Sequence, residues 1–155
     1  MTNALTLIRQ WSDLPAPSLD DLVGTWKAEF VPPLRHIGPI GLGLMGLPRW
    51  YGKRFERDGD RLGGVNLLLA GEGSFEERLP MCVSVQLSSK DGRPAGVVSY
   101  AAESPRPWRW IRDELRLLPG DVLLGMSTID AGLTRRGPLP FLLVADSARR
   151  SGSGL

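Results

Sequence analysis

The chain has 155 residues, 42% of them hydrophobic and 23% charged, with a net charge of +2. That length fits one domain with a sizeable core, and so small a charge gives no electrostatic case for a nucleic-acid partner. No apolar run approaches the roughly 20 residues of a membrane-spanning helix, no basic leader with an apolar core is visible, and Cys82 is the single cysteine, which excludes an intrachain disulfide. A cytoplasmic protein without membrane contact is the expectation.

Residues 1–20 read as an N-terminal arm, mildly amphipathic through Leu5, Leu7 and Ile8. Ser18 with Asp21 three residues on is a capping pattern for a helical turn that must be short. The barrel domain is expected over 21–146. Its first strand runs from Asp21 to Val31, where Leu22, Trp26, Ala28 and Phe30 alternate with polar Thr25, Lys27 and Glu29. Pro32-Pro33 ends pairing. The stretch His36 to Pro48 is apolar and broken by glycines, which weaken helix and strand alike. It reads as a connection with at most one helical turn, packed over one end of the fold as a plug or as a lid. Six further strands follow over 50–57, 61–70, 75–88, 95–102, 108–118 and 122–130, divided by turns such as Asp58-Gly59-Asp60 and Lys90-Asp91-Gly92-Arg93. A basic loop with Arg135 and Arg136 precedes an eighth strand at 140–145. Residues 147–155 read as a disordered tail. Eight short strands at this spacing predict an all-β fold, an eight-stranded antiparallel up-and-down barrel with an apolar interior.

Taking the more apolar face of each strand as inward gives a ligand-binding set of Trp26, Phe30, Phe55, Met81, Val83, Ile111, Leu124, Met126 and Phe141. The same choice turns Val65 and Leu67 inward. Cys82, in the clearest period-two stretch, reads as an inert core thiol. Two charges interrupt the inward faces. Lys53 lies between Tyr51 and Phe55, and Asp113 between Ile111 and Leu115. A lone buried charge is costly, so the two are expected to pair. The pair is either structural or a polar handle for a ligand. Tyr51 and Tyr100 join them as candidate donors in a catalytic set of Lys53, Tyr51, Tyr100 and Asp113. Trp108 and Trp110 are expected at the mouth, with Arg109 and Arg112 facing solvent. His36 is the lone histidine, so neither a metal site nor a cofactor is expected. The Gly41-x-Gly43-x-x-Gly46 spacing follows no βαβ unit and carries no dinucleotide signal.

Gly24-Thr25-Trp26, Trp50-Tyr51-Gly52-Lys53 with Phe55, and Trp110-Ile111-Arg112-Asp113-Glu114-Leu115 leading into Leu123-Leu124-Gly125-Met126 resemble the small bacterial barrels named for a GXWXG motif. Ala28 stands where that motif has its second glycine. The resemblance implies a lipocalin-like barrel. In size and in its tryptophan-rich mouth the chain is also similar to compact barrel cyclases of natural-product clusters, which fold a linear polyketide and promote spirotetronate or Diels–Alder-type ring closure. That similarity implies a cofactor-free cyclase working by shape on a hydrophobic small molecule. A non-catalytic carrier of a lipid or other hydrophobic compound is the alternative, and a homodimer stays open.

Overall fold

The computed structural model of the chain describes residues 3–44, 46–130 and 135–146. Eight antiparallel strands close into a barrel in the order β1 to β8, each paired with its neighbour in sequence and β1 with β8. They are β1 Gly24–Glu29, β2 Trp50–Asp58, β3 Arg61–Leu69, β4 Phe75–Leu87, β5 Pro94–Tyr100, β6 Ile111–Leu118, β7 Val122–Asp130 and β8 Arg135–Ala145. Up-and-down connections need only short turns, and closure leaves no strand edge unpaired.

Among the described residues three α-helices decorate the barrel: α1 Ala4–Gln10, α2 Leu19–Leu22 and α3 Leu34–Leu44. Asn3 caps α1 by accepting from the Thr6 N–H at 2.9 Å. Ser18 and Asp21 form a reciprocal capping box on α2. That single turn closes the lower end of the barrel, and Trp26 Nε1 donates to Leu22 O at 2.8 Å. Leu22, Trp26, Phe55, Leu115, Leu123 and Leu143, each 2% exposed or less, fill this half. Two glycines make that filling possible. A Cβ on Gly64 would sit 2.7 Å from the Phe55 ring, and one on Gly125 2.3 Å from the Phe141 ring.

Several expectations need correction. The His36–Pro48 connection holds an eleven-residue helix, α3, with Pro39 inside it; its glycines are tolerated because the helix lies over the mouth rather than in the core. The strand expected from Trp108 starts at Ile111, because Trp108–Trp110 forms a 3-10 turn. The eighth strand reaches back to Arg135. Cys82 is exposed, not a core thiol.

The inward face of β3 is the opposite of the expected one. Register sets Asn66 against Lys53 and Gly64 against Phe55, so Leu62, Gly64, Asn66 and Leu68 share the interior face, and Val65 and Leu67 do not. On β7, Gly125 opposite Phe141 and Leu115 faces in, so Leu124 and Met126 face out. They remain buried because α1 and its neighbours add a second apolar layer with Leu7, Trp11, Val31 and Ala95. A strand covered on both faces carries no alternation by which to choose a face. The tail expected over 147–155 lies outside the described residues, as do the side chains of Arg135 and Arg136.

Candidate functional site

Above its packed half, the barrel interior turns polar at one level. Inward Lys53 on β2, Asn66 on β3, Tyr100 on β5 and Asp113 on β6 meet there, all buried. Lys53 Nζ donates to Tyr100 Oη at 2.8 Å and to Asn66 Oδ1 at 3.0 Å, and lies 3.5 Å from Asp113 Oδ2. The expected Lys53–Asp113 pair is thus present, as one side of a four-residue cluster. Trp50 Nε1 donates to the same Asn66 oxygen at 3.1 Å. Burial pulls the Lys53 ammonium down, but the Tyr100 and Asp113 oxygens outweigh it and the net shift is upward from 10.5. Desolvation raises the Tyr100 phenol above its ordinary 10.0, against the opposing Lys53 charge. At neutral pH the cluster therefore holds an ammonium and an un-ionised phenol.

This cluster walls a cavity of about 50 Å³, shared with Trp50, Trp108, Ser127 and Phe141. That volume holds a water or one small polar group. Directly above lies an apolar groove of about 340 Å³ between the barrel mouth and α3, within the size range of small-molecule sites. Phe30, Leu42, Trp108, Ser127 and Leu139 line both spaces, so the groove adjoins the cavity and the polar cluster lies at its foot. Among the described lining residues, Lys53 and Asp113 are the only charged ones.

The roof of the groove is α3. None of its described side chains is fully buried, and Ile37 and Ile40 are each 67% exposed. On its other side an open recess runs between Arg35 and Pro39 of α3 and Ala28, Glu29 and Trp50 of the barrel. A helix undercut on two sides opens at lower free energy than the strands beneath it. It leans on Phe30 through Gly38, where a Cβ would lie 3.0 Å from three ring atoms.

The candidates from sequence divide sharply. Lys53, Tyr100 and Asp113 come together. Tyr51 does not, because β2 shifts register between Trp50 and Gly52. This shift puts Trp50 against the cavity and leaves Tyr51 donating to Asp146 at 2.6 Å with its ring 4.7 Å from Phe75. Phe30, Ile111 and Phe141 line the site. Trp26, Phe55, Met81 and Val83 belong to the packed core. Leu124 and Met126 lie in the outer apolar layer, so they are not ligand-lining residues. Trp108 packs at the mouth with its ring 5.5 Å from Tyr100, and Trp110 sits under Arg106 at 5.3 Å. Arg109 is exposed and Arg112 half-buried, donating to Leu87 O at 2.9 Å.

Sequence reasoning missed Trp50, Asn66 and Ser127. Asn66 left a trace, as the one polar residue in the run Val65 to Leu69. Ser127 left a fainter one, in the polar pair with Thr128 between Met126 and Ile129.

No family model and no curated protein matches the chain. A solved structure of a protein from Thermomonospora curvata is similar to it, with 19% sequence identity and a TM-score of 0.64 over 94% of this chain and 88% of that one. At that identity the likeness speaks to fold alone, and it sets the chain among small closed barrels of eight antiparallel strands.

Proposed function

We propose that the barrel binds an apolar small molecule carrying a carbonyl oxygen and promotes its cofactor-free cyclisation. One observation carries the reading: a buried polar cluster of no net charge stands at the foot of an apolar groove roofed by a lightly held helix. A pericyclic ring closure needs no nucleophile or redox partner. It needs two parts of one molecule held at reacting distance, an effect that can supply roughly 7–11 kcal/mol. Phe30, Ile111 and Leu139 would fold the apolar body, with the carbonyl directed to the foot. There the Tyr100 hydroxyl would donate to the carbonyl and draw electron density from the conjugated system. Lys53 and Asn66 hold the phenolic oxygen, and Asp113 holds Lys53. Tyr100 is the proposed catalytic residue; Lys53 and Asp113 are positioning residues. The Gly24-Thr25-Trp26 and Trp110-to-Leu115 segments favour a GXWXG-type relationship within the small barrels.

Access requires α3 to swing away, since the foot lies beneath it. A carrier is the second reading, favoured by the three contacts Lys53 already makes within the protein. The two readings separate on one experiment. A linear molecule bearing a diene and a tethered enone is incubated with the protein, with Tyr100→Phe and with buffer. Ring closure faster than in buffer, and slowed in Tyr100→Phe, supports the cyclase. Tight binding with conversion equal to buffer supports the carrier. Absence of binding removes both.

A further inference from the structure

The cluster at the foot of the groove has little donor capacity left. Two N–H directions of Lys53 are taken, by Asn66 Oδ1 and Tyr100 Oη, and Asp113 Oδ2 lies 3.5 Å from the same Nζ. Its charge is matched by Asp113, and neither space is lined by another charged residue among those described. A carboxylate placed there would bring a second negative charge into a desolvated site with no cation left to meet it. A neutral acceptor meets no such penalty. Two hydroxyls can serve it. The Tyr100 O–H points to Asp113 Oδ2 at 3.5 Å, too long for a firm O–H···O bond. The Ser127 hydroxyl has no hydrogen-bond partner among the described residues. Ser127 lines both the cavity and the groove, and register sets it directly across from Asp113. It is the one polar side chain a ligand would meet on passing from the groove to the foot.

We infer that Ser127, with Tyr100, sets the specificity of the site, and that the ligand's head is an uncharged carbonyl and not a carboxylate. This inference rests on the ligand-binding reading above and narrows its ligand class. It excludes free fatty acids as the preferred cargo, whether the barrel is a cyclase or a carrier. The Ser127 hydroxyl would grip the carbonyl as it reaches the mouth of the cavity, and Tyr100 would complete the contact.

The test compares a long-chain methyl ketone with the fatty acid of equal chain length, alongside an uncharged naphthalene dye. Binding is read by quenching of tryptophan fluorescence, since Trp50 and Trp108 border the cavity. The ketone is expected to bind at least about tenfold more tightly than the acid at neutral pH. Ser127→Ala should weaken the ketone about fivefold and leave the dye unchanged, since it removes a single hydrogen bond. Acid binding equal to or tighter than the ketone, with the dye still bound, overturns the inference and leaves the ligand-binding reading standing. So does a Ser127→Ala change that weakens ketone and dye alike. If neither the dye nor either chain binds, both the inference and the reading beneath it fall.

Discussion

Two buried polar clusters sit back to back on β6, one inside the barrel and one outside. Inside, Asp113 meets Lys53, Tyr100 and Asn66 beside an open cavity. Outside, Glu114 and Arg116 are covered by the N-terminal arm and the β4–β5 turn. Arg116 donates to Asp91 at 2.5 and 2.8 Å, to Trp11 O at 2.9 Å and to Arg93 O at 3.1 Å, and its guanidinium lies 4.4 Å from the Trp11 ring. Pro15 O takes the Leu117 N–H beside it at 2.9 Å. The outer cluster encloses its cation completely and ties the arm to the barrel. The inner one keeps a long contact, a hydroxyl without a partner among the described residues, and empty space beside it. Both clusters bury ion-paired charges; what separates a site from a clamp is whether polar capacity is left facing a volume.

The largest effect should come from breaking the inner pair. Lys53→Met strands Asp113 in a desolvated site and should cost about 3–5 kcal/mol in urea unfolding. Adding Asp113→Leu should recover most of that loss, because no unpaired charge remains. The two single changes proving additive would show that the residues are not coupled. Arg116→Ala should cost about 2–3 kcal/mol and expose residues 3–17 to hydrogen exchange, while ketone binding stays within about twofold of wild type. A large loss of binding would erase the distinction between the two clusters.

The clusters should also fail at opposite ends of the pH scale. Burial pushes the Glu114 carboxyl up, but hydrogen bonds from Ser88 and Ser89 and the Lys90 charge hold it at about 2, below its ordinary 4.5. Asp91 is lowered from 3.8, chiefly by its hydrogen bonds with Arg116. A carboxyl lowered in the folded state takes up protons more readily when unfolded. Its stabilisation is therefore present above the ordinary pKa and lost as pH falls from about 4.5 toward 2. Lys53 and Tyr100 are raised, so their contribution is present below about 10 and lost as pH rises through their folded values. Unfolding followed across pH should show Glu114→Gln flattening the acid limb, and Lys53→Met with Asp113→Leu flattening the alkaline limb. The smallest effect belongs to Tyr51→Phe. Losing the hydroxyl that meets Asp146 should cost about 1 kcal/mol and leave ligand binding unchanged; lost binding would return Tyr51 to the site.

The barrel was legible because period-two patterning and turn chemistry recur along most of the chain. β7 falls on its expected bounds of Val122–Asp130, and Lys53 and Asp113 announced themselves as charges on apolar faces. Facing was harder to read. Leu124 and Met126 look like core, and they are core of a second layer created by α1, which no local pattern on β7 reveals. Trp50 reaches the cavity through a register shift one residue long, which exchanges it with Tyr51. Asn66 makes sense only once it is paired with Lys53 across the β2–β3 ladder. Helix α3 defies the propensity of its glycines and proline because its place over the mouth asks little packing of it.

On the proposed reading, the inner cluster polarises a ligand carbonyl through Tyr100. The infrared stretch of an isotope-labelled carbonyl on the bound methyl ketone measures that polarisation directly. The stretch in the wild-type complex should lie at lower frequency than in hexane and return toward the hexane value in Tyr100→Phe. A hexane-like frequency in the wild-type complex, with the ketone bound, would contradict it.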